Sequence, residues 1–369
     1  MKAQEDRETS CRVLVDRVSN IHFNSLRPLL VEDFFTKCQS LPIELKFNYV
    51  IQILKEYLPP NIFSLLRRIA PVESPPVQIQ AGTQVQTVTE PVIEARPENR
   101  VDVAIIAVVP NELLALKIAL GIDPKQTEDY QDNGFPYWTT EISCTPPKPS
   151  MKILLTMVGE PRNTPCALAC ANLFKLYKVG ICMLVGIAAG LKDKIKLGQV
   201  VVGEMVLDYE GQRLEVTGAK IRPMQYHLKR SLQRDFQNFR PDEQTLKQTF
   251  GDFLSRLPNG YNLSPEIREF TPAYSTGVIL SGEKLLADGT LPELRKTYHD
   301  KVRALEMEGS GFARACEQYS VPWMIFRGIS DYGDGDKGDE WQVPSALAAA
   351  TCALLFLKSE YRKQEITEF

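Results

Sequence analysis

The apolar run that begins at Val321 and closes on Arg327-Gly-Ile-Ser-Asp331 constrains this chain more than any other stretch. Trp323 to Ile329 reads as a strand buried in a core, and the segment ends by setting one carboxylate at the strand's mouth. Further strands are expected at Val101–Val109, Lys152–Val158, Ile181–Ile187, Gln199–Val206 and Gly277–Leu280. Helical stretches lie between and after them. Glu112–Leu120 follows Pro110-Asn111 and stops at Gly121, a C-cap residue. Cys166–Tyr177 follows Asn163-Thr164-Pro165, which reads as an N-cap with proline in the first turn. Pro344–Lys358 closes the pattern. Strands alternating with helices predict an α/β fold with a mixed central sheet flanked by helices. Residues 227–270, polar and helical, are expected to be an insertion or a peripheral layer.

The 369 residues suffice for a domain of about 250 plus an appendage. Within 11–70, Leu29, Leu30, Phe34 and Phe35 recur at helical spacing, as do Leu45, Tyr49, Ile53 and Tyr57. Pro28, Pro42 and Pro59-Pro60 fall between these stretches and would bound the helices. Residues 1–70 therefore read as a small all-α interaction module. Residues 71–100 carry five prolines, one glycine and no aromatic residue, the composition of a linker. The main α/β domain is expected over 101–369.

Charge is nearly balanced, Lys+Arg 43 against Asp+Glu 46, which gives no global reason to expect nucleic acid or an anionic membrane as partner. Met1–Arg17 is charged throughout and lacks the apolar core of a signal peptide. The longest apolar run, Ala346–Leu357, reads as too short to span a bilayer. The eight cysteines form no C-x-x-C pair, and the three histidines are far apart. Neither pattern suggests a zinc site. Reduced cysteines and a cytoplasmic location are expected, with Cys166 and Cys170 packing as small hydrophobes.

Read with Ala304-Leu-Glu-Met-Glu-Gly309 and Leu184-Val-Gly-Ile-Ala-Ala-Gly-Leu191, the Arg327–Asp331 segment resembles the nucleoside phosphorylase and nucleosidase superfamily. Members of that superfamily cleave the N-glycosidic bond of nucleosides. The three segments stand in the family's order and at its rough spacing, and the resemblance covers residues 101–358.

On position alone Asp331 could be a turn or N-cap aspartate before the loop Tyr332–Gly338. The resemblance makes it the general acid that protonates the departing purine, with Ser330 orienting it. Such a role wants a partly buried, protonatable carboxyl. Glu308 would accept hydrogen bonds from the ribose hydroxyls, and Met307 would pack on the sugar face. Glu306 serves either the site or the structure. Glu112 follows the first strand as in family members that hydrolyse their substrate, where it holds the attacking water. The Gly186–Gly190 stretch, with Ala188, Ala189 and Gly190, is expected to be a small, flexible loop that lets the backbone approach substrate.

Phosphorylases of the superfamily bind attacking phosphate through an arginine and a serine flanking the Val-Gly pair. Leu184 and Ile187 occupy those positions here, which favours water as nucleophile. The tail from Asp331 to Gln342 looks like a subgroup fused to signalling modules in immune-type proteins, some of which cleave adenine nucleotides such as ATP. Arg162, Lys284, Arg303 and Lys337 are the candidate phosphate-binding residues. Asp331, Asp334, Asp336 and Asp339 could meet a divalent ion arriving with a nucleotide, but their spacing fits no calcium loop. No resident cofactor or metal is expected.

The leading expectation is a purine nucleosidase acting on an adenine nucleotide or nucleoside, homo-oligomeric, with a protein partner or assembly function for residues 11–70. A housekeeping methylthioadenosine/adenosylhomocysteine-type nucleosidase explains the catalytic residues but not the N-terminal module. A non-catalytic nucleotide-binding sensor would have no need to keep the acid.

Overall fold

The computed structural model describes residues 99–361, apart from 216–217, 262 and 336–338. The expected helical module, the linker up to residue 98 and Lys337 lie outside the described residues.

The sheet is built around β1 (Arg100–Ala107), which runs parallel to both β4 (Met151–Met157) and β5 (Lys178–Gly190). On one side β3 (Phe135–Ile142) pairs antiparallel with β4, and the short β2 (Tyr130–Asp132) completes a hairpin with β3. On the other side β12 (Trp323–Asp331) runs parallel to β5 and antiparallel to β6 (Val200–Asp208). Next come β10 (Tyr274–Ser281), parallel to β6, and β11 (Val302–Glu306), parallel to β10. The curl then closes on itself, because β11 also pairs antiparallel with the end of β5 through Ala304↔Gly190 and Leu305↔Ala189. β9 (Met224–His227) edges β6, and β7 (Gln212–Glu215) and β8 (Gly218–Ile221) form a separate hairpin.

Both faces of the central strands are buried, which is why they read as continuous apolar runs. Val103, Ile105, Ile181, Met183, Met324 and Phe326 point to one face, under α1 (Pro110–Leu120) and α8 (Gln342–Ser359). Ala104, Ile106, Cys182, Leu184 and Ile325 point to the other, under α2 (Asn163–Leu176) and α7 (Gly309–Gln318). Gly121 caps α1 in the left-handed conformation at φ 73°, as its position predicts. Gly328 lets α8 press onto β12: a Cβ there would stand 1.9 Å from the Ser345 carbonyl oxygen. Ser345 Oγ in turn donates to the Ile329 carbonyl at 2.7 Å.

Several expectations need correction. The Gly186–Gly190 stretch is no flexible loop; it is the buried end of β5, the strand that touches β1, β12 and β11. Residues 227–270 do more than cover the periphery. Leu232 and Phe236 of α3 (Arg230–Asn238), with Phe239 beyond it, complete the core, as do Leu246 and Phe250 of α4 (Glu243–Leu254). Each such side chain contributes roughly 1.5–3 kcal/mol through burial. Two short helices, α5 (Pro265–Glu269) and α6 (Leu291–Tyr298), flank β10 in sequence. Asn163 does not cap α2; Arg162 holds that position with φ 112°, and the Asn163 side chain is used elsewhere. The longer segment Asp339–Ser359, which contains Ala346–Leu357, holds an 18-residue stretch of mean hydropathy 1.3 that is apolar enough, by length and composition alone, to cross a membrane. It is 83% buried inside the protein, so core packing accounts for its apolar character.

Candidate active site

The ends of β1, β5, β11 and β12 converge where the curled sheet closes, and the acidic residues singled out from the sequence meet there. Asp331 stands last on β12 opposite Ala189, after an irregularity in pairing that leaves Ser330 out of register. Such a bulge re-aims the side chains at a strand's end. Ser330 Oγ donates to Asp331 Oδ2 at 3.0 Å, and the Gly333 N–H donates to Oδ1 at 2.8 Å. Each oxygen keeps a second lone-pair direction for a ligand or a proton.

Beneath this carboxyl lies a cluster that the sequence reading missed at its centre. Arg327, fully buried in β12, donates through Nη1 to Glu112 Oε1 at 3.2 Å. Its Nη2 donates to Glu306 Oε2 at 2.6 Å and to Glu308 Oε2 at 2.9 Å. Burial alone would push the guanidinium's pKa down. The carboxylates of Glu306, Glu308 and Glu112 outweigh burial and hold it above its ordinary value. An arginine directly after the apolar run Trp323–Phe326 was the available signal, since a buried arginine requires carboxylate partners.

Glu308 is only 6% exposed and sits just before α7. Burial is the largest influence on its carboxyl, and Glu306 and Glu112 add like charge. Arg327 and the Arg162 N–H oppose them, leaving the group pushed up to about 7. The Arg162 N–H donates to Glu308 Oε1 at 3.0 Å. This contact explains why a non-glycine residue tolerates φ 112° there, a strain that costs on the order of 1–3 kcal/mol. Met307, between the two glutamates, is half-buried at the site.

Glu112 differs from the expectation of an open, water-holding carboxylate. Oε2 accepts from the Val108 and Val109 N–H groups at 2.6 and 3.3 Å, and Oε1 from the Ile187 N–H at 2.8 Å as well as from Arg327. All of its lone-pair directions are occupied by protein donors. Gly186 makes this possible, because a Cβ at that position would fall 1.9 Å from Glu112 Oε1. Glu306 is similarly tied, its carboxylate receiving the N–H groups of Glu308 and Gly309.

Asn163 and Ser281 also join the site without having been singled out. Asn163 Oδ1 accepts from Ser281 Oγ at 3.0 Å and from the Gly311 N–H at 2.9 Å. Ser281 Oγ accepts the Ser310 N–H at 3.0 Å. These bonds lock the start of α7, and with it Glu308, to β10 and α2.

The three candidate phosphate ligands among the described residues, Arg162, Lys284 and Arg303, do not converge. Arg162 contributes its backbone, and its side chain is exposed. Lys284 Nζ lies 3.3 Å from Glu210 Oε1 with its side chain 73% exposed. Arg303 belongs to the body of β11, where its stem covers Gly277 of β10; the structure does not bring it to the mouth. Ala188 and Gly190 are buried and Ala189 half-buried along the end of β5. The phosphate-binding positions of phosphorylases are apolar here, with Leu184 fully buried and Ile187 half-buried in β5.

A curled mixed sheet with an acidic cluster at its closure defines a fold of the nucleoside phosphorylase type. Its backbone is similar to 5'-methylthioadenosine/S-adenosylhomocysteine nucleosidase from Neisseria meningitidis in complex with methylthio-immucillin-A. That likeness has a TM-score of 0.52 and 20% identity, over 70% of this chain and 99% of that one. The same is true of the Streptococcus pneumoniae enzyme in complex with 8-aminoadenine (TM-score 0.52, 20% identity, the same coverage). The chain belongs to the phosphorylase superfamily, whose family profile matches residues 102–356. Among curated relatives it is 29% identical over 268 residues to the ATP nucleosidase Cap17 of Escherichia coli (strain KTE188), across 69% of this chain and 51% of that protein. It therefore spans about half the length of that relative. It is 24% identical over 181 residues to 5'-methylthioadenosine/S-adenosylhomocysteine nucleosidase of Mycobacterium bovis, across 47% of this chain and 67% of that protein.

Proposed function

We propose that this chain hydrolyses the N-glycosidic bond of an adenine nucleotide, ATP foremost, to free adenine and the ribose phosphate. The observation that carries the reading is that one strand, β12, ends in Asp331, held by Ser330 and the Gly333 N–H, and carries four residues earlier the Arg327 that gathers Glu112, Glu306 and Glu308. The likeness to an ATP nucleosidase over 69% of the chain supports the choice of nucleotide.

In this mechanism Asp331 passes a proton to the imidazole ring of the purine as the bond to the anomeric carbon breaks. The base then leaves neutral instead of as an anion. Glu308 accepts the ribose hydroxyls and faces the positive charge that develops on the sugar. Water adds at the anomeric carbon, and its proton passes to the carboxylate cluster. Within that cluster Glu308, pushed up to about 7, has the proton affinity suited to neutral pH. Glu112, with its acceptors filled, positions Arg327 and the end of β5; to hold the water itself it must release one of those donors. Buried Leu184 and half-buried Ile187 favour water over phosphate as nucleophile.

The protein is further proposed to act in the cytoplasm as a homo-oligomeric effector of immune-type defence, with residues 11–70 as the docking or assembly module. A chromatographic screen of ATP, ADP, AMP, adenosine and methylthioadenosine tests the substrate. Preferential release of adenine from ATP supports the proposal. Preferential cleavage of methylthioadenosine would replace it with the housekeeping reading, and no cleavage of any of them with the sensor reading.

A further inference from the structure

A concavity of about 360 Å³ opens on the β6–β10 side of the sheet and shares no residue with the carboxylate cluster. Its floor is apolar, made by Met205, Leu228 and Val278. Its rim carries Arg230, Lys301, His227 and His299, two of the chain's three histidines among them. Glu204 is the sole carboxylate in the lining. Ligand pockets characteristically combine an apolar floor with a few convergent polar groups, and this volume falls in their usual range of about 300–1,000 Å³.

Three features of the cleft would favour an anion. Among the described residues no carboxylate pairs with Arg230 or Lys301, although Lys192, Lys247, Lys284 and Lys296 each have one. The helix α3 starts at Arg230 with no acidic residue in its first turn. A cation there opposes the helix dipole, and a bound anion would offset both the charge and the exposed amides. His299 Nδ1 accepts the Lys301 N–H at 3.0 Å, so the neutral imidazole carries its proton on Nε2 and offers a further donor. Other charges nearby are modest: Asp300 lies 3.3 Å from His299 Nδ1 and is itself exposed, and Glu317 acts on His227 from α7.

We propose that this cleft binds a phosphorylated small molecule, with Arg230 and Lys301 clamping the phosphate, His299 donating to it, and Met205, Leu228 and Val278 receiving the organic part. The site is independent of the hydrolytic chemistry. It rests, however, on the same β6 and β10 whose far ends carry Asp208 and Ser281.

The test is a titration of the full chain with inorganic phosphate and with pyrophosphate, followed through the imidazole resonances of His227 and His299. Assignment by His→Gln variants is simple with three histidines. Saturable shifts of both signals are expected, weakened about tenfold or more by Arg230→Gln with Lys301→Gln. Glu204→Gln should tighten binding by removing the one carboxylate of the lining. Lys301→Gln alone, in the turn before β11 and exposed, serves if the double variant folds poorly. Adenine release should be unchanged in every variant. Absent shifts, shifts that survive loss of both cations, or weaker binding in Glu204→Gln would each overturn the proposal.

Discussion

Arg327 and Glu112 lie 215 residues apart in sequence, yet Nη1 of the one donates to Oε1 of the other at 3.2 Å with both side chains essentially inaccessible to solvent. The contact ties the last strand of the sheet to the first turn of its first helix, directly under the residues that carry the proposed chemistry. One guanidinium there bridges three carboxylates, so the cluster is as much a structural unit as a chemical one.

Removing Arg327 should therefore be costly. Arg327→Met leaves Glu112, Glu306 and Glu308 buried without a counter-charge, and loss of one partner from a buried ion pair typically costs about 3–5 kcal/mol. Urea denaturation of the two proteins measures it. A change below about 1 kcal/mol would mean that the carboxylates are already neutral in the folded protein.

The raised Glu308 carboxyl has its own signature. Its folded value of about 7 exceeds the ordinary 4.5. The folded protein thus keeps the proton that the unfolded chain loses between pH 4.5 and 7. Stability from this group is fully present below 4.5, falls as pH rises through 7, and is level above. Glu308→Gln lacks the titration, so its stability relative to the parent should rise across that window, by roughly 3 kcal/mol at the plateau. Melting curves of both proteins from pH 4 to 9 give the difference. A difference that stays flat would place the shared proton elsewhere in the cluster.

Phosphate should leave the reaction untouched. With Leu184 and Ile187 at the phosphate-binding positions, the rate should not rise with added phosphate. No sugar phosphorylated at the anomeric carbon should form. Product analysis by phosphorus NMR distinguishes the two outcomes, and an anomeric phosphate would make the enzyme a phosphorylase.

Much of this fold was legible because buried strands announce themselves: Val101–Val109, Ile181–Ile187 and Trp323–Ile329 are apolar on both faces and became β1, β5 and β12. The hairpin of β2 and β3 was not, since Tyr130–Asp132 is only three residues long and Phe135–Ile142 breaks its apolar run with Thr139, Thr140 and Glu141, the pair lying at the sheet's edge. Val302–Glu306 was hard to read as a strand because its glutamate is matched by an arginine distant in sequence. The same separation hid Arg327: its partners come from the start of the domain and from β11, so only the folded chain brings them together. The Gly186–Gly190 stretch misled in the opposite direction. Small residues suggested mobility, whereas the space is filled by the Glu112 carboxylate and the neighbouring strands.

The proposed two-part organisation predicts that the α/β domain stands alone. A shortened chain starting near Glu98 contains every described element of the sheet and should fold and bind adenine as the full chain does. Circular dichroism and adenine titration check this. Insolubility of the shortened chain would show that residues 11–70 belong to the same cooperative unit.

The most direct measurement is chromatographic quantitation of adenine released from ATP in phosphate-free buffer by the parent protein and by Asp331→Asn. The asparagine keeps the shape of the carboxyl but has no proton to give. Adenine should accumulate with the parent, and the variant should be slower by about 10²–10⁴-fold while still binding adenine. Equal rates for the two proteins, or no adenine from the parent, would contradict the assignment of this site as a nucleosidase centre with Asp331 as its acid.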